Sequence, residues 1–276
     1  MQDTVTYADA VKLLRGANIP NAPFEARLII SSICDVSFAS ILSDPDKKYE
    51  STVLLDALRR RAARYPLQYI LGEVGFRDCI FKVTEHTLIP RPDTELLVEY
   101  AVAHIPQNAH IADLCTGSGC IAVSTLSERP DLCAVATDID PDTLEVAAHN
   151  AQKNGVADRL TLLLDDVKHP DRISEYVPFD AILSNPPYIP TRDVMGLEEE
   201  LKYEPHIALD GGEDGLDFYR AIITHYVPLL KENGFLAFEI GYDQESEMLL
   251  LAEENSLKCK IIRDYGANPR VAILKR

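Results

Sequence analysis

From His110 onward, short apolar runs alternate with helical stretches, and no other feature of the sequence constrains the fold as strongly. The alternation predicts strands over residues 110–114, 134–138, 160–164, 179–184, 235–240, 257–262 and 271–274, with helices in the gaps. Strands separated by helices read as βαβ units of an α/β sheet, because parallel neighbours need a long crossover. One crossover helix carries its own start signal. Asp140 is its N-cap and Pro141 its first helical residue, followed by Leu144, Ala147, Ala148 and Ala151 along one face.

The residues before it are organised differently. Between Thr6 and Tyr65, apolar residues recur at helical spacing: Ala8, Val11 and Leu14, then Ala26, Ile29 and Ile30, then Leu54, Leu55 and Leu58. Residues 16–21 and 43–46, with Gly, Pro, Asn and Asp, break these stretches into several short helices. Residues 69–76 and 80–83 are β-prone and predict a hairpin. The expected division is a small all-α domain over 1–67, a β-hairpin linker over 68–90 and the α/β domain over 91–276.

Composition narrows the function classes. The chain has 276 residues and a net charge of −17, which argues against a protein that coats a phosphate backbone. Residues 1–67 hold 9 basic against 8 acidic residues, and the remainder 18 against 36, so the acidic surface belongs to the α/β part. Arg59, Arg60, Arg61 and Arg64 read as a solvated helix face, with a partner surface as the alternative. The six cysteines form no CxxC pair and the seven histidines no HExxH, so no metal site is expected and the thiols should be reduced and buried. Residues 210–215 resemble a calcium loop only faintly, with Gly212 and Ala221 where ligands belong. No apolar run approaches the roughly 18 residues of a membrane span. Met1 to Thr4 open no signal peptide, so a cytoplasmic protein without membrane attachment is expected.

Two motifs carry chemistry. Asp113-Leu114-Cys115-Thr116-Gly117-Ser118-Gly119 follows the first strand of the sheet and opens a helix, where small residues let a ligand approach the backbone. Asp138 ends the next strand, the position from which a carboxylate accepts ribose hydroxyls. Gly117 to Ala122 also satisfies the G-x-G-x-x-A pattern of dinucleotide enzymes, so the fragment alone leaves both cofactor classes open. Asp113 favours S-adenosylmethionine, since a carboxylate holds an ammonium and repels a pyrophosphate. Asp165-Asp166 adds an acceptor for an adenine amino group. The second motif, Asn185-Pro186-Pro187-Tyr188, follows the strand over 179–184. A Pro-Pro step alone marks an ordinary turn. Here its rigid carbonyls, the Asn185 side-chain oxygen and the flat Tyr188 ring suit a planar group bearing NH2.

With these motifs in order, the chain resembles the S-adenosylmethionine-dependent N5-glutamine methyltransferases of peptide chain release factors, the PrmC or HemK family. The resemblance rests on Gln68-Tyr69-Ile70-x-Gly72, on Leu88-Ile89-Pro90-Arg91-Pro92-Asp93-Thr94-Glu95, on the two motifs above, and on Tyr203-Glu204-Pro205-x-x-Ala208-Leu209. It implies a Rossmann-like class I methyltransferase sheet of seven strands, the last antiparallel, behind a helical substrate-recognition domain. It implies S-adenosylmethionine held at its amino-acid end by Asp113 and Cys115 through Gly119, with Thr116, Gly117 and Ser118 between, and at its ribose by Asp138. Asp166 and Val167 then meet the adenine, and Asn185 borders both ligands. Asn185, Pro186 and Tyr188 become the catalytic floor. Pro187, Arg91 and Glu95 join it as substrate contacts, and the partner is a release factor; the oligomeric state is left open, with a monomer favoured. The family's first loop glycine is Cys115 here, a change that a negative φ would tolerate.

The chemistry expected of the floor is placement. An amide lone pair is delocalised, so acceptors on its two hydrogens orient the nitrogen for in-line displacement, and no strong base is called for. Asn-Pro-Pro-Tyr also serves methylases of adenine amino groups, so an adenine-N6 enzyme acting on DNA or RNA is the main rival reading, opposed by the charge. A noncatalytic cofactor-binding module and a glutamine methyltransferase of a ribosomal protein are the others.

Overall fold

The computed structural model describes residues 4–276; Met1 to Asp3, read above as opening no signal peptide, lie outside the described residues. The chain divides into two units, one built from residues up to Glu73 together with Glu198–Tyr203, the other from Val74–Leu197 and Glu204–Arg276.

The first unit is helical. A short antiparallel pair, β1 (Thr4–Val5) and β2 (Tyr49–Glu50), accompanies α1 (Tyr7–Gly16), α2 (Ala22–Cys34), α3 (Phe38–Ser43), α4 (Thr52–Ala62) and α5 (Leu67–Leu71). Thr6 and Asp9 close a capping box at the start of α1, each side chain accepting from the other's backbone N–H. Leu14, Ile29, Ile30, Ile41, Leu54 and Leu58 are fully buried at its centre. Two expectations need correction. The buried face of α1 is Ala10, Val11 and Leu14, with Ala8 exposed, because the next turn faces α2 and α4. The arginine run is a solvated face only in part: Arg59 and Arg60 are exposed, but Arg61 is buried, with Nε 2.5 Å from Glu25 Oε2 and Nη1 3.3 Å from Glu200 Oε1. Arg64 reaches the same Glu200 oxygen at 3.2 Å, so these charges are spent inside the unit.

The predicted strand over 69–76 is half helix. α5 runs from Pro66 as its N-cap to Gly72, and only then does β3 (Glu73–Phe76) pair with β4 (Cys79–Lys82). Asn150, on α8 (Pro141–Lys153), mimics a further strand edge. Its Oδ1 accepts from Lys82 N at 2.7 Å and its Nδ2 donates to Lys82 O at 3.0 Å and to Ser118 O at 2.8 Å.

The second unit is a seven-stranded sheet in the order β10-β11-β9-β8-β5-β6-β7. Its strands are β5 (His110–Leu114), β6 (Cys133–Asp138), β7 (Leu160–Leu164), β8 (Phe179–Ser184), β9 (Leu230–Glu239), β10 (Lys258–Arg263) and β11 (Pro269–Lys275). The pairings from β7 through β9 are parallel, and the last strand, β11, lies antiparallel between β9 and β10. Alternate residues serve the two faces. Phe235 and Ala237 pack with α6 (Glu95–His104) and α7 (Cys120–Glu128), while Leu236 and Phe238 pack with α10 (Asp217–Tyr226) and α11 (Glu245–Glu254). After β7 the chain crosses back to the other side of β5, so the strand order reverses between β5 and β8. Leu114 pairs with Ser184 across that reversal, and Ser184 Oγ donates to Leu114 O at 2.7 Å. The loops leaving these strands therefore start side by side, at the switch point where α/β sheets bind ligands.

Among the described residues no helix is long and apolar enough to cross a membrane. The six cysteines are free thiols, but only Cys79 is buried and Cys133 is exposed, because β6 begins at Cys133 on the sheet's rim.

Candidate active site

The loop after β5 forms one wall of a cavity of about 630 Å³. Cys115, Thr116, Gly117 and Ser118 line it. Gly117 has φ +55° with nothing within 4 Å of where a Cβ would stand, so its bare backbone faces open space. Cys115 has φ +57°, so the negative φ that would tolerate a side chain there is not met: the thiol sits on a backbone in the left-handed region that favours glycine.

Asp113 is not in the cavity wall. It is fully buried beneath the loop, where Oδ2 accepts from Thr116 Oγ1 at 2.6 Å and from Ala122 N at 3.1 Å. Its other oxygen has no partner, and burial raises its carboxyl to about 7. The direct grip on an ammonium expected of Asp113 is thus replaced by support of the loop, because the loop's own donors reach it first. Gly119 likewise opens α7 as its N-cap without lining the cavity.

Asp138 lines the next stretch of wall, accepting from Gly117 N at 2.9 Å and Asp140 N at 3.2 Å. Burial pushes its carboxyl up, and these amide donors pull it back. Asp166 and the buried Val167 follow. Partial burial pushes the Asp166 carboxyl up, but hydrogen bonds from His169 and Lys168 N outweigh it and hold it below its ordinary value. Asp165 turns its oxygens to the backbone N–H groups of Asp171, Arg172 and Ile173.

The opposite wall is built from Asn185 and Pro187. Asn185 Nδ2 donates to Thr94 Oγ1 at 3.3 Å, and Thr94 Oγ1 donates to Glu239 Oε2 at 2.5 Å. Pro186 and Tyr188 do not line the cavity. The Tyr188 ring packs into the core beneath α10 and its hydroxyl donates to Glu239 Oε1 at 3.4 Å, which corrects the expectation of a ring lying on the substrate plane. The motif is seated on Gly211, where a Cβ would come within 2.6 Å of Tyr188 Cα, and Gln244 Nε2 donates to Tyr188 O at 3.0 Å.

The Pro-Arg-Pro-Asp-Thr-Glu segment divides between two tasks. Arg91 lines the cavity with its guanidinium held by Glu204, a buried carboxylate that also accepts from Ile89 N at 2.9 Å. Glu95 points away. Its Oε1 accepts from Arg77 N at 3.0 Å in the hairpin turn and it does not line the cavity, which does not fit the substrate contact expected of it; its place at the start of α6 explains the orientation.

The sequence reading missed Thr94 and Glu239. Thr94 sat inside a quoted motif without a role; the signal for Glu239 was a lone carboxylate in the apolar run Phe235-Leu236-Ala237-Phe238-Glu239-Ile240. Lys168 was missed too, its Nζ lying 4.1 Å from the centre of the Phe218 ring at the cavity edge.

A solved ribosomal protein L11 methylase from Lactobacillus delbrueckii subsp. bulgaricus shares the fold at 20% identity and TM-score 0.50, over 68% of this chain and 81% of that one. The PrmC N-terminal domain family matches residues 6–72, and the methyltransferase small domain family matches residues 92–201. The release factor glutamine methyltransferase of Moorella thermoacetica is 40% identical over 97% of this chain and 96% of its own length. The chain belongs to the release factor glutamine methyltransferase family. A second relative of that name, from Cereibacter sphaeroides, is 40% identical over 95% of this chain and 94% of its own.

Membership makes the chain a methyltransferase with S-adenosylmethionine as methyl donor. The donor set fits that molecule. An open glycine backbone, a half-buried Asp138 and the Asp166–Val167 corner offer surfaces for a zwitterion, a ribose and an adenine, whereas two carboxylates below and beside the loop oppose a pyrophosphate.

Proposed function

We propose that this protein methylates the side-chain amide nitrogen of a glutamine in a peptide chain release factor, with S-adenosyl-L-homocysteine as the second product. The observation that carries the reading is the set of Asn185: with Nδ2 engaged by Thr94, its Oδ1 is left to the cavity. Asn185 Oδ1 accepts one amide hydrogen in the cavity; the Pro186 carbonyl, which the motif offers for the other, has no internal hydrogen bond among the described residues but does not line the cavity, so that second contact rests on the motif alone. Holding the amide hydrogens orients the nitrogen, the acceptor dipoles stabilise the positive charge that develops on it as the methyl leaves the sulfonium sulfur, and one N–H proton leaves after the methyl arrives, giving the neutral methylamide. S-adenosylmethionine supplies the electrophilic methyl. Cys115 to Ser118 hold its amino-acid end, Asp138 its ribose, and Asp166 with Val167 its adenine. Arg91, clamped by Glu204, meets the substrate backbone or a substrate carboxylate. In this reading the helical domain over 1–67 recognises the release factor, residues 68–90, which hold the end of α5 and the β3–β4 hairpin, link it to the catalytic domain over 91–276, and the reaction takes place in the cytoplasm.

The test is transfer of labelled methyl from S-adenosylmethionine to purified release factors, with ribosomal proteins and single- and double-stranded DNA as parallel acceptors. Label on a release factor glutamine is expected. Label confined to nucleic acid or to a ribosomal protein, or none anywhere, rejects the proposal.

A further inference from the structure

Behind the Asn185 loop lies a carboxylate that substrate cannot touch. Glu239 ends β9 at 2% exposure, and its two oxygens accept from Thr94 Oγ1 at 2.5 Å and Tyr188 OH at 3.4 Å. A threonine hydroxyl has one proton. Having given it to Glu239, Thr94 can only accept, and it accepts from Asn185 Nδ2 at 3.3 Å. Among the described residues the Asn185 side chain makes no other hydrogen bond, so its Oδ1 is the atom presented to the cavity.

We propose that Glu239 is a positioning residue whose ionised carboxylate sets the direction of the chain Glu239–Thr94–Asn185 and so presents Asn185 Oδ1 to the amide NH2. The proposal rests on the glutamine-amide reading above. A proton on Glu239 reverses the chain. The acid then donates to Thr94, the Thr94 hydroxyl donates to Asn185, and the Asn185 amide turns its NH2 toward the substrate NH2, donor against donor. The groups facing Glu239 are Asp93 before α6, Arg270 of β11, Tyr188, Cys120 of α7 and Tyr219 of α10. Arg270 is shared with Asp93 at 3.2 Å and Asp264 at 3.1 Å, which weakens its pull on Glu239. Burial, opposed by the Thr94 hydrogen bond, raises the Glu239 carboxyl to about 7, so pH is the variable that tests the direction of the chain.

The Asn185 side-chain NH2 resonances of nitrogen-15-labelled protein, identified by their loss in Asn185→Asp, give a readout free of substrate. In the wild type they should shift with pH around a midpoint near 7. In Glu239→Gln they should be flat, in Thr94→Val uncoupled, and in Thr94→Ser restored. Asp113→Asn, which removes the other buried carboxyl of similar pKa, should leave the midpoint in place. On a release factor, kcat should rise through the same midpoint in the wild type and lose that rise in Glu239→Gln. Thr94→Val should cut kcat about tenfold to hundredfold with KM little changed, and Thr94→Ser should recover it. Resonances that do not titrate in the wild type, or that titrate unchanged in Glu239→Gln, overturn the proposal. Titrating resonances in a protein that methylates no release factor support the relay and reject the substrate reading alone.

Discussion

Asp113 and Glu239 are both buried at the carboxyl ends of sheet strands, both are raised to about 7 by burial, and each stands under one wall of the same cavity. Their partners differ. Asp113 is held by Thr116 and Ala122, three and nine residues along, so it closes a local loop. Glu239 is reached by Thr94 and Tyr188, 145 and 51 residues away, so it joins separate segments of the chain. On the proposed assignment, the wall given to the cofactor is a local structure and the wall given to the substrate a tertiary assembly that depends on the direction of side chains. Damage to the first should appear in cofactor affinity, and damage to the second in turnover.

The strongest break of that comparison is Asn185→Ala. It should lower kcat by about 10²–10³, the cost of losing a pre-aligned polar group at the reacting atom, while calorimetric affinity for S-adenosyl-L-homocysteine stays within about threefold. Asp113→Ala comes next and should act in the other direction. Removing two bonds to a buried carboxylate should weaken S-adenosyl-L-homocysteine binding about tenfold and lower the melting temperature. Equal losses of affinity in both variants would erase the distinction between the walls.

The pH dependence of stability sharpens the comparison at a smaller scale. Both carboxyls have folded pKa values raised above their unfolded ones, so the folded state holds more protons between about pH 4 and 7. Their contribution is therefore fully present below the unfolded pKa and is lost as pH rises through about 7. Denaturant titrations of Asp113→Asn and Glu239→Gln should each show a shallower fall of stability across that window than the wild type. The smallest effect is expected from Cys115→Gly. Relief of the left-handed strain, about 1–2 kcal/mol, is largely offset by glycine's added chain entropy, so stability should change by less than about 1 kcal/mol. A larger loss would show that the thiol holds the loop.

The sheet, most of its strand positions and the cofactor loop were legible because their determinants are close in sequence: short apolar runs, Asp140-Pro141, Asp113 to Gly119. The direction of a local side chain was less so, and Asp113 turned inward because Thr116 and Ala122 lie within its reach. What failed depends on long-range partners. Arg61 read as part of a solvated face because Glu25 and Glu200 lie 36 and 139 residues from it. Tyr188 read as a substrate platform because Glu239, to which its hydroxyl bonds, lies in another strand. Glu95 belonged to a motif, yet its orientation is set by Arg77 N in the hairpin turn.

Everything proposed for the reaction depends on the Asn185 wall orienting a glutamine side-chain amide. The most direct test is fragmentation mass spectrometry of a release factor after incubation with S-adenosylmethionine and either the wild type or Asn185→Ala. The account predicts one methyl on the side-chain amide of a single glutamine with the wild type, and almost none with Asn185→Ala at equal occupancy by cofactor. A methyl at any other atom, or equal modification by the two proteins, would contradict it.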